Sequence, residues 1–145
     1  GSVVEVDLET GEVRLRCHVA VDDCGTVLNR SVVEGQQHGG SAAGIAQALY
    51  EEIVFDEAGT PRTLTLGDYL MPSAAELPSF VTATMDIASP VSVTGAKGIG
   101  ENGAVAAPSA VQNAVVDALA HLGVTHVDMP LSPQRVWRAL QAARA

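Results

Sequence analysis

Aromatic side chains are nearly missing: two Phe, two Tyr and one Trp make up 3% of 145 residues. Stacking platforms are therefore scarce, and a core must be assembled from Val, Leu, Ile and Ala. Cations are also few. Eight Lys and Arg against 17 Asp and Glu give a formal net charge of −9. Nucleic acid is excluded as an expected partner, because phosphates are neutralised by Lys and Arg; an anionic membrane surface is disfavoured for the same reason. No apolar run approaches the roughly 20 residues that span a bilayer, so no membrane span is expected. Cysteine is limited to Cys17 and Cys24. Two thiols without zinc or iron–sulfur spacing point to a reduced, cytoplasmic protein, and no leader pattern is read at the amino end. What is plentiful is aliphatic: 47% hydrophobic against 17% charged residues excludes disorder, and the length suits one domain.

The pattern predicts an α+β unit of mixed or antiparallel strands with three main helices. Val3–Leu8 alternates as a half-buried strand, Glu9-Thr10-Gly11-Glu12 turns, and the return strand runs over Val13–Val21. Period two places Val13, Leu15, Cys17, Val19 and Val21 on one face. A helix is expected from Ser31 to Glu52 although Gly35, Gly39, Gly40 and Gly44 lie within it, each costing up to about 1 kcal/mol relative to alanine. Asp56–Pro61 reads as a second turn between short strands, and Phe80–Ile87 as a further strand. Ala104–Leu122 is helical with Gly123 at C′, Val124–Met129 is extended, and Ser132 caps a last helix that starts with Pro133.

Two stretches stand out chemically. In Gly95-Ala96-Lys97-Gly98-Ile99-Gly100-Glu101-Asn102-Gly103, glycines let the main chain approach a ligand closely. The helix that follows offers its positive end, a setting that favours an ionised carboxylate at Glu101. The bland reading is a tight turn with an acid at a helix start. Gly98-x-Gly100-x-x-Gly103 also fits the dinucleotide fingerprint. The preceding Ser89–Thr94 is a poor buried strand, however, and too little chain follows Asp128 to complete a nucleotide-binding half. In Glu34-Gly35-Gln36-Gln37-His38-Gly39-Gly40, helical spacing puts Gln36, Gly40, Ala43 and Gln47 on one face. That face suits a flat hydrogen-bonding ligand or a close helix–helix contact. Lys97 is read as a surface charge or a partner of Asp86, His38 as a core histidine or a ligand contact, and Tyr69 and Trp137 as packing residues.

Val21-Asp22-Asp23-Cys24-Gly25-Thr26-Val27-Leu28-Asn29, then Glu34–Gly40, then Gly95–Glu101 resemble, in order and spacing, the molybdenum-binding large subunit of the xanthine dehydrogenase family. The carbon monoxide dehydrogenase type is the most similar. Ala48–Glu52, Asp68–Pro72 and Asp128–Leu131 add to the resemblance, which departs at Arg30 and Asn102. Family large subunits are several times longer, so residues 1–145 are expected to be the C-terminal part of a molybdenum cofactor-binding domain, inactive alone.

The resemblance implies a molybdopterin cytosine dinucleotide carrying molybdenum, with no protein ligand to the metal. It implies Glu101 as general base, taking the proton of a molybdenum-bound hydroxyl whose oxygen attacks a small substrate such as CO, an aldehyde or an N-heterocycle, while hydride passes to a sulfido ligand. Gln36 would meet the pterin edge and Cys24, Gly25 and Asn29 the dinucleotide part; Lys97, Gly98 and Gly100 complete the implied cofactor set. The implied partners are the remainder of the large subunit and subunits carrying FAD and [2Fe-2S] clusters. Two alternatives stand beside this: a Rossmann-like nucleotide-binding domain, and a cofactor-free assembly module.

Overall fold

The computed structural model describes residues 1–144. Strand β1 (Ser2–Val6) and strand β2 (Val13–Asp22) pair antiparallel around a turn that Asp7 organises. Its Oδ1 accepts from the amides of Glu9 and Thr10, at 2.8 and 2.9 Å. The chain then enters helix α1 (Arg30–Leu49) and returns as β3 (Phe80–Thr84), parallel to β2 from His18↔Phe80 to Asp22↔Thr84. The sheet is thus mixed, in the order β1-β2-β3. Helices α2 (Asn102–Ala120) and α3 (Pro133–Arg144) complete the expected three. No described helix is long and apolar enough to cross a membrane.

The core is aliphatic, as the shortage of aromatics requires. Val13 and Leu15 of β2 meet Ile45, Ala48 and Leu49 of α1 and Val111, Val115 and Leu119 of α2. Val124, Val127 and Leu131 fill in from the segment before α3. That segment was expected to be extended; no strand is assigned to it, and it contributes by burial instead. Pro108 lies inside α2 and has no N–H for the Ala104 carbonyl. The bare Cα of Gly44 packs against that turn, as the nearest atoms to a Cβ there would be Ala107 Cβ, Ala104 O and Pro108 Cδ.

Several boundaries move. Helix α1 stops at Leu49 rather than Glu52, and β3 at Thr84 rather than Ile87, just before Asp86 adopts φ +40°. Helix α2 runs two residues earlier than expected, and Gly123 (φ +90°) follows its last turn. The Asp56–Pro61 turn is present, but its flanks reduce to one bridge, Phe55↔Pro61. The start of α3 is as expected: Ser132 Oγ accepts from the Arg135 amide at 3.4 Å.

The expected face of β2 needs a larger correction. Val3 pairs with Cys17 but Val4 pairs with Leu15, so Arg16 is an extra residue in β2. A bulge shifts the strand by one residue and exchanges its faces beyond that point. Val13 and Leu15 are buried as predicted, whereas Val19 and Val21 are 39% and 55% exposed. His18 turns inward in their place, 3% exposed, with Nδ1 2.9 Å from Ser2 Oγ and its ring edge-on to Phe80.

Burial pushes the His18 pKa below its ordinary value. A ring that binds its proton less readily when folded leaves stability intact above the unfolded-state value and loses it as pH falls through that value. The urea midpoint is therefore expected to fall between about pH 7 and pH 5, and to fall less in His18→Gln. Equal pH slopes for the two chains would remove His18 as the cause.

Candidate active-site loop and cofactor cleft

The turn that ends β2 and the glycine loop, 70 residues apart in sequence, are stitched together by backbone. Gly25 and Ala96 form an isolated antiparallel bridge. The Thr26 amide donates to Gly95 O (3.1 Å) and the Lys97 amide to Cys24 O (2.8 Å). Gly25 has φ +64°, and a Cβ there would strike the Gly95 carbonyl oxygen. Only glycine allows both the left-handed turn and the contact.

Asp23, which the sequence presents merely as the end of a strand, binds three segments. Its Oδ1 accepts from the Gly25 amide (2.9 Å) and the Ile87 amide (3.3 Å), and its Oδ2 from Lys97 Nζ (2.6 Å). The Lys97 ammonium, then the Gly25 N–H, hold the Asp23 carboxyl below the usual carboxylate range. Lys97 is therefore neither free nor paired with Asp86. The readable signal was an Asp two residues before a glycine, the arrangement of an Asx turn.

Between this turn, the start of α1 and the loop lies a cleft of about 160 Å³, lined by Cys24, Thr26, Asn29, Val33, Lys97 and Ile99. Cys24 is buried. Asn29 is the N-cap of α1, its Oδ1 accepting from the Val32 amide at 3.2 Å. Helix α1 has 20 residues and no acid in its first turn, so its positive end is uncompensated there. At the other end of the loop, Glu101 occupies the N-cap position of α2, exposed, and its carboxylate makes no capping hydrogen bond. The bland reading, a charge that complements the α2 dipole, is compatible with this position, and the carboxylate oxygens make no capping hydrogen bond. A Cβ on Gly98 would meet nothing within 4 Å, and one on Gly100 only Gln36 Oε1, at 3.6 Å. Gln36, Gly100 and Glu101 thus come together, and Lys97 links them to the cleft of Cys24, Gly25 and Asn29.

The helical face behind Gln36 divides. Gly40 packs against Gly103 and Ala104, but Gly35 and Gly39 have open space where a Cβ would be. Close helix packing therefore accounts for Gly40 and Gly44, while Gly35 and Gly39 leave bare backbone beside the exposed Gln36. Gln37 turns away from Gln36 into the interior, where its Nε2 donates to Asp22 Oδ2 (2.8 Å) and Ala83 O (2.9 Å). His38 is not a core residue: it is exposed, with its ring against the edge of Phe80. Residues 85–94 lie between β3 and the glycine loop and form no strand, so the loop does not lead directly from a strand into a helix as a Rossmann-like reading requires. A hollow of about 380 Å³ near His126, Arg135 and Arg138 shares none of the candidate residues. Among the described residues no three His, Cys, Asp or Glu cluster to hold a metal.

A flat group with an anionic tail fits what is present. The bare backbone of Gly100 leaves room beside the Gln36 amide, and Gly98 is open next to it in the loop. The Lys97 ammonium and the α1 N-terminus border the cleft that would take the tail. The chain belongs to the molybdopterin cofactor-binding domain family, whose model matches residues 1–78. It is 44% identical over 139 residues to the carbon monoxide dehydrogenase large chain of Hydrogenophaga pseudoflava, covering 96% of this chain. It is 39% identical over 137 residues, 94% of this chain, to the nicotine 6-hydroxylase large subunit of Paenarthrobacter nicotinovorans. This chain spans 17% of each of those two relatives. Among solved structures, a Cu,Mo-CO dehydrogenase in its carbon monoxide reduced state superposes with a TM-score of 0.93 at 36% identity, over 97% of this chain and 18% of that one. Quinoline 2-oxidoreductase of Pseudomonas putida 86 superposes with a TM-score of 0.92 at 42% identity, with the same coverage. The three helices and mixed three-stranded sheet are those of a molybdopterin-binding domain of this kind.

Proposed function

We propose that this chain is the C-terminal part of the cofactor-binding domain of a molybdenum hydroxylase large subunit, and that it supplies the general base. The observation that carries the reading is the exposed Glu101 carboxylate, free of any capping bond, next to the Gly100–Gln36 contact. Both lie within a fold matched at TM-score 0.93 by a Cu,Mo-CO dehydrogenase. The proposed cofactor is molybdopterin cytosine dinucleotide with molybdenum. Gln36 would hold its pterin edge and Cys24, Gly25 and Asn29 its dinucleotide part, with Lys97, Gly98 and Gly100 along the loop. When bound, the group supplies an activated hydroxyl and a two-electron acceptor. Glu101 Oε accepts and holds the proton released as a small substrate is oxidised, work that requires an ionised carboxylate within hydrogen-bond reach. Its exposed position in the loop leaves both oxygens accessible to a ligand.

The substrate is a small molecule of the class that the relatives' names span: carbon monoxide, nicotine or quinoline. The proposed partners are the remainder of the large subunit and subunits bearing FAD and iron–sulfur clusters, in the cytoplasm. Alone, the chain would not turn over.

The test is made on the native assembly, purified through this subunit. Molybdenum by elemental analysis and CMP released by acid are each expected near one per large subunit. A complete large subunit lacking both would replace this reading with the assembly module. Within the same assembly, Gln36→Ala removes one amide partner, worth about 0.5–1.5 kcal/mol, so the cofactor should bind roughly two- to tenfold more weakly. Wild-type occupancy after dialysis would return that helix face to packing.

A further inference from the structure

We propose that Asp23 is a positioning residue for this site: through Lys97 it fixes the near end of the glycine loop and thereby the place of Glu101. The inference rests on the reading of Glu101 as the base. Three segments converge on one carboxylate, namely the turn after β2 at Gly25, the segment after β3 at Ile87, and the loop at Lys97. The far end of the loop is fixed by α2, which begins at Asn102.

Between Lys97 and α2 stand Gly98, Ile99, Gly100 and Glu101. A Cβ on Gly98 would touch nothing and one on Gly100 only the Gln36 amide, so before Glu101 the part-buried Ile99 alone holds the path with a side chain. Its backbone hydrogen bonds lie at the α2 end: the Asn102 amide donates to Ile99 O at 3.4 Å and the Val105 amide to Glu101 O at 3.0 Å. A short segment with so little restraint of its own takes its course from its two ends. One of them is Lys97, clamped by its amide on Cys24 O and its ammonium on Asp23.

An ordinary half-exposed ion pair contributes little, since entropy and solvent screening offset it. Here the carboxylate is already aligned by two backbone amides, so the ammonium meets a fixed oxygen rather than a mobile side chain. That arrangement suits placement more than stability. Reacting groups lose about a hundredfold in rate when misplaced by about an ångström.

Asp23→Asn separates placement from folding. An amide has one acceptor oxygen and cannot serve both backbone amides and the ammonium. In the complete enzyme, kcat is expected to fall at least about tenfold while KM moves less than about threefold and molybdenum and CMP content hold. Independently of turnover, hydrogen–deuterium exchange of residues 95–101 in the full-length large subunit should quicken about tenfold in Asp23→Asn. Lys97→Met should quicken the exchange of the loop alike, and the double variant should exchange no faster than the faster single one, because both break one link; cofactor content is compared in Asp23→Asn alone, since Lys97 also borders the cleft. Wild-type kcat in Asp23→Asn overturns the proposal, as does unchanged exchange, and so does a rate loss that tracks lost molybdenum. Glu101→Gln measured alongside keeps the two readings apart: normal turnover there removes the base, while the exchange result still reports whether Asp23 tethers the loop.

Discussion

Replacing Glu101 by Gln in the complete enzyme is expected to lower kcat by on the order of 10²- to 10⁴-fold, the usual contribution of a positioned general base. Molybdenum and CMP content should stay at the wild-type level. The substitution keeps the shape of the side chain and removes its charge and its ability to take a proton. Nothing in the fold depends on that carboxylate: it is exposed, makes no capping bond, and only its backbone carbonyl serves α2, accepting from the Val105 amide at 3.0 Å. Loss of the helix-end charge interaction amounts to about 0.3–1 kcal/mol, too small to imitate a rate loss of this size. Thermal unfolding of the variant should therefore overlay that of the parent. A variant that turns over normally would take Glu101 out of the mechanism and leave the free carboxylate without a role.

The second large effect is on folding, at the crossing of α1 and α2. Gly103→Ala places a methyl carbon 2.6 Å from the Ser41 nitrogen and 2.9 Å from both Gln37 O and the Gly40 carbonyl carbon. All three are backbone atoms of α1 and cannot rotate aside. Overpacking a core costs about 1–3 kcal/mol where side chains can adjust. With main chain as the obstacle, about 3 kcal/mol or more is expected, a large share of the roughly 5–15 kcal/mol of a whole domain. Gly44→Ala should behave similarly, because its new carbon would lie 2.8 Å from Ala107 Cβ and 2.9 Å from Ala104 O and Pro108 Cδ. Gly35→Ala and Gly39→Ala are the controls. Each opens onto empty space, and each should gain up to about 1 kcal/mol from helix propensity. Urea unfolding of the four variants checks the contrast, and equal midpoints would mean that the helices separate at no cost.

What could be read from residues alone follows from the range of the interactions. The β1–β2 hairpin, the Ser132-Pro133 helix start and the helical periods of α1 and α2 are local patterns, and each lies within a few residues of its expected place. The glycine loop stood out because four glycines cluster around Lys97 and Glu101; the structure gives Gly95 and Gly103 a turn or packing reason and leaves Gly98 and Gly100 open. Less legible was anything that depends on a distant neighbour. Gln36 and Gln37 are adjacent amides about 100° apart on a helix, and only the position of the sheet decides that Gln37 goes inside. Four glycines in α1 look equivalent in sequence, yet the placement of α2 divides them into two that pack and two that do not. The Lys97 partner was sought at Asp86, which is nearby along the chain; the structure supplies Asp23, 74 residues away.

Strand β2 also works as a counter. Its extra residue at Arg16 changes the parity of everything that follows until the strand ends. Asp22 and Asp23 are chemically identical and consecutive; strand parity sets the side of Asp22, the last residue of β2, and the turn to Gly25 sets Asp23. In the phase that the bulge sets, Asp22 turns inward to Gln37 and Asp23 reaches Lys97. In the opposite phase the Asp22 position would face away from Gln37, and the interior amide would lose its carboxylate. A single unpaired position near the middle of a strand thus decides which side its last acid serves.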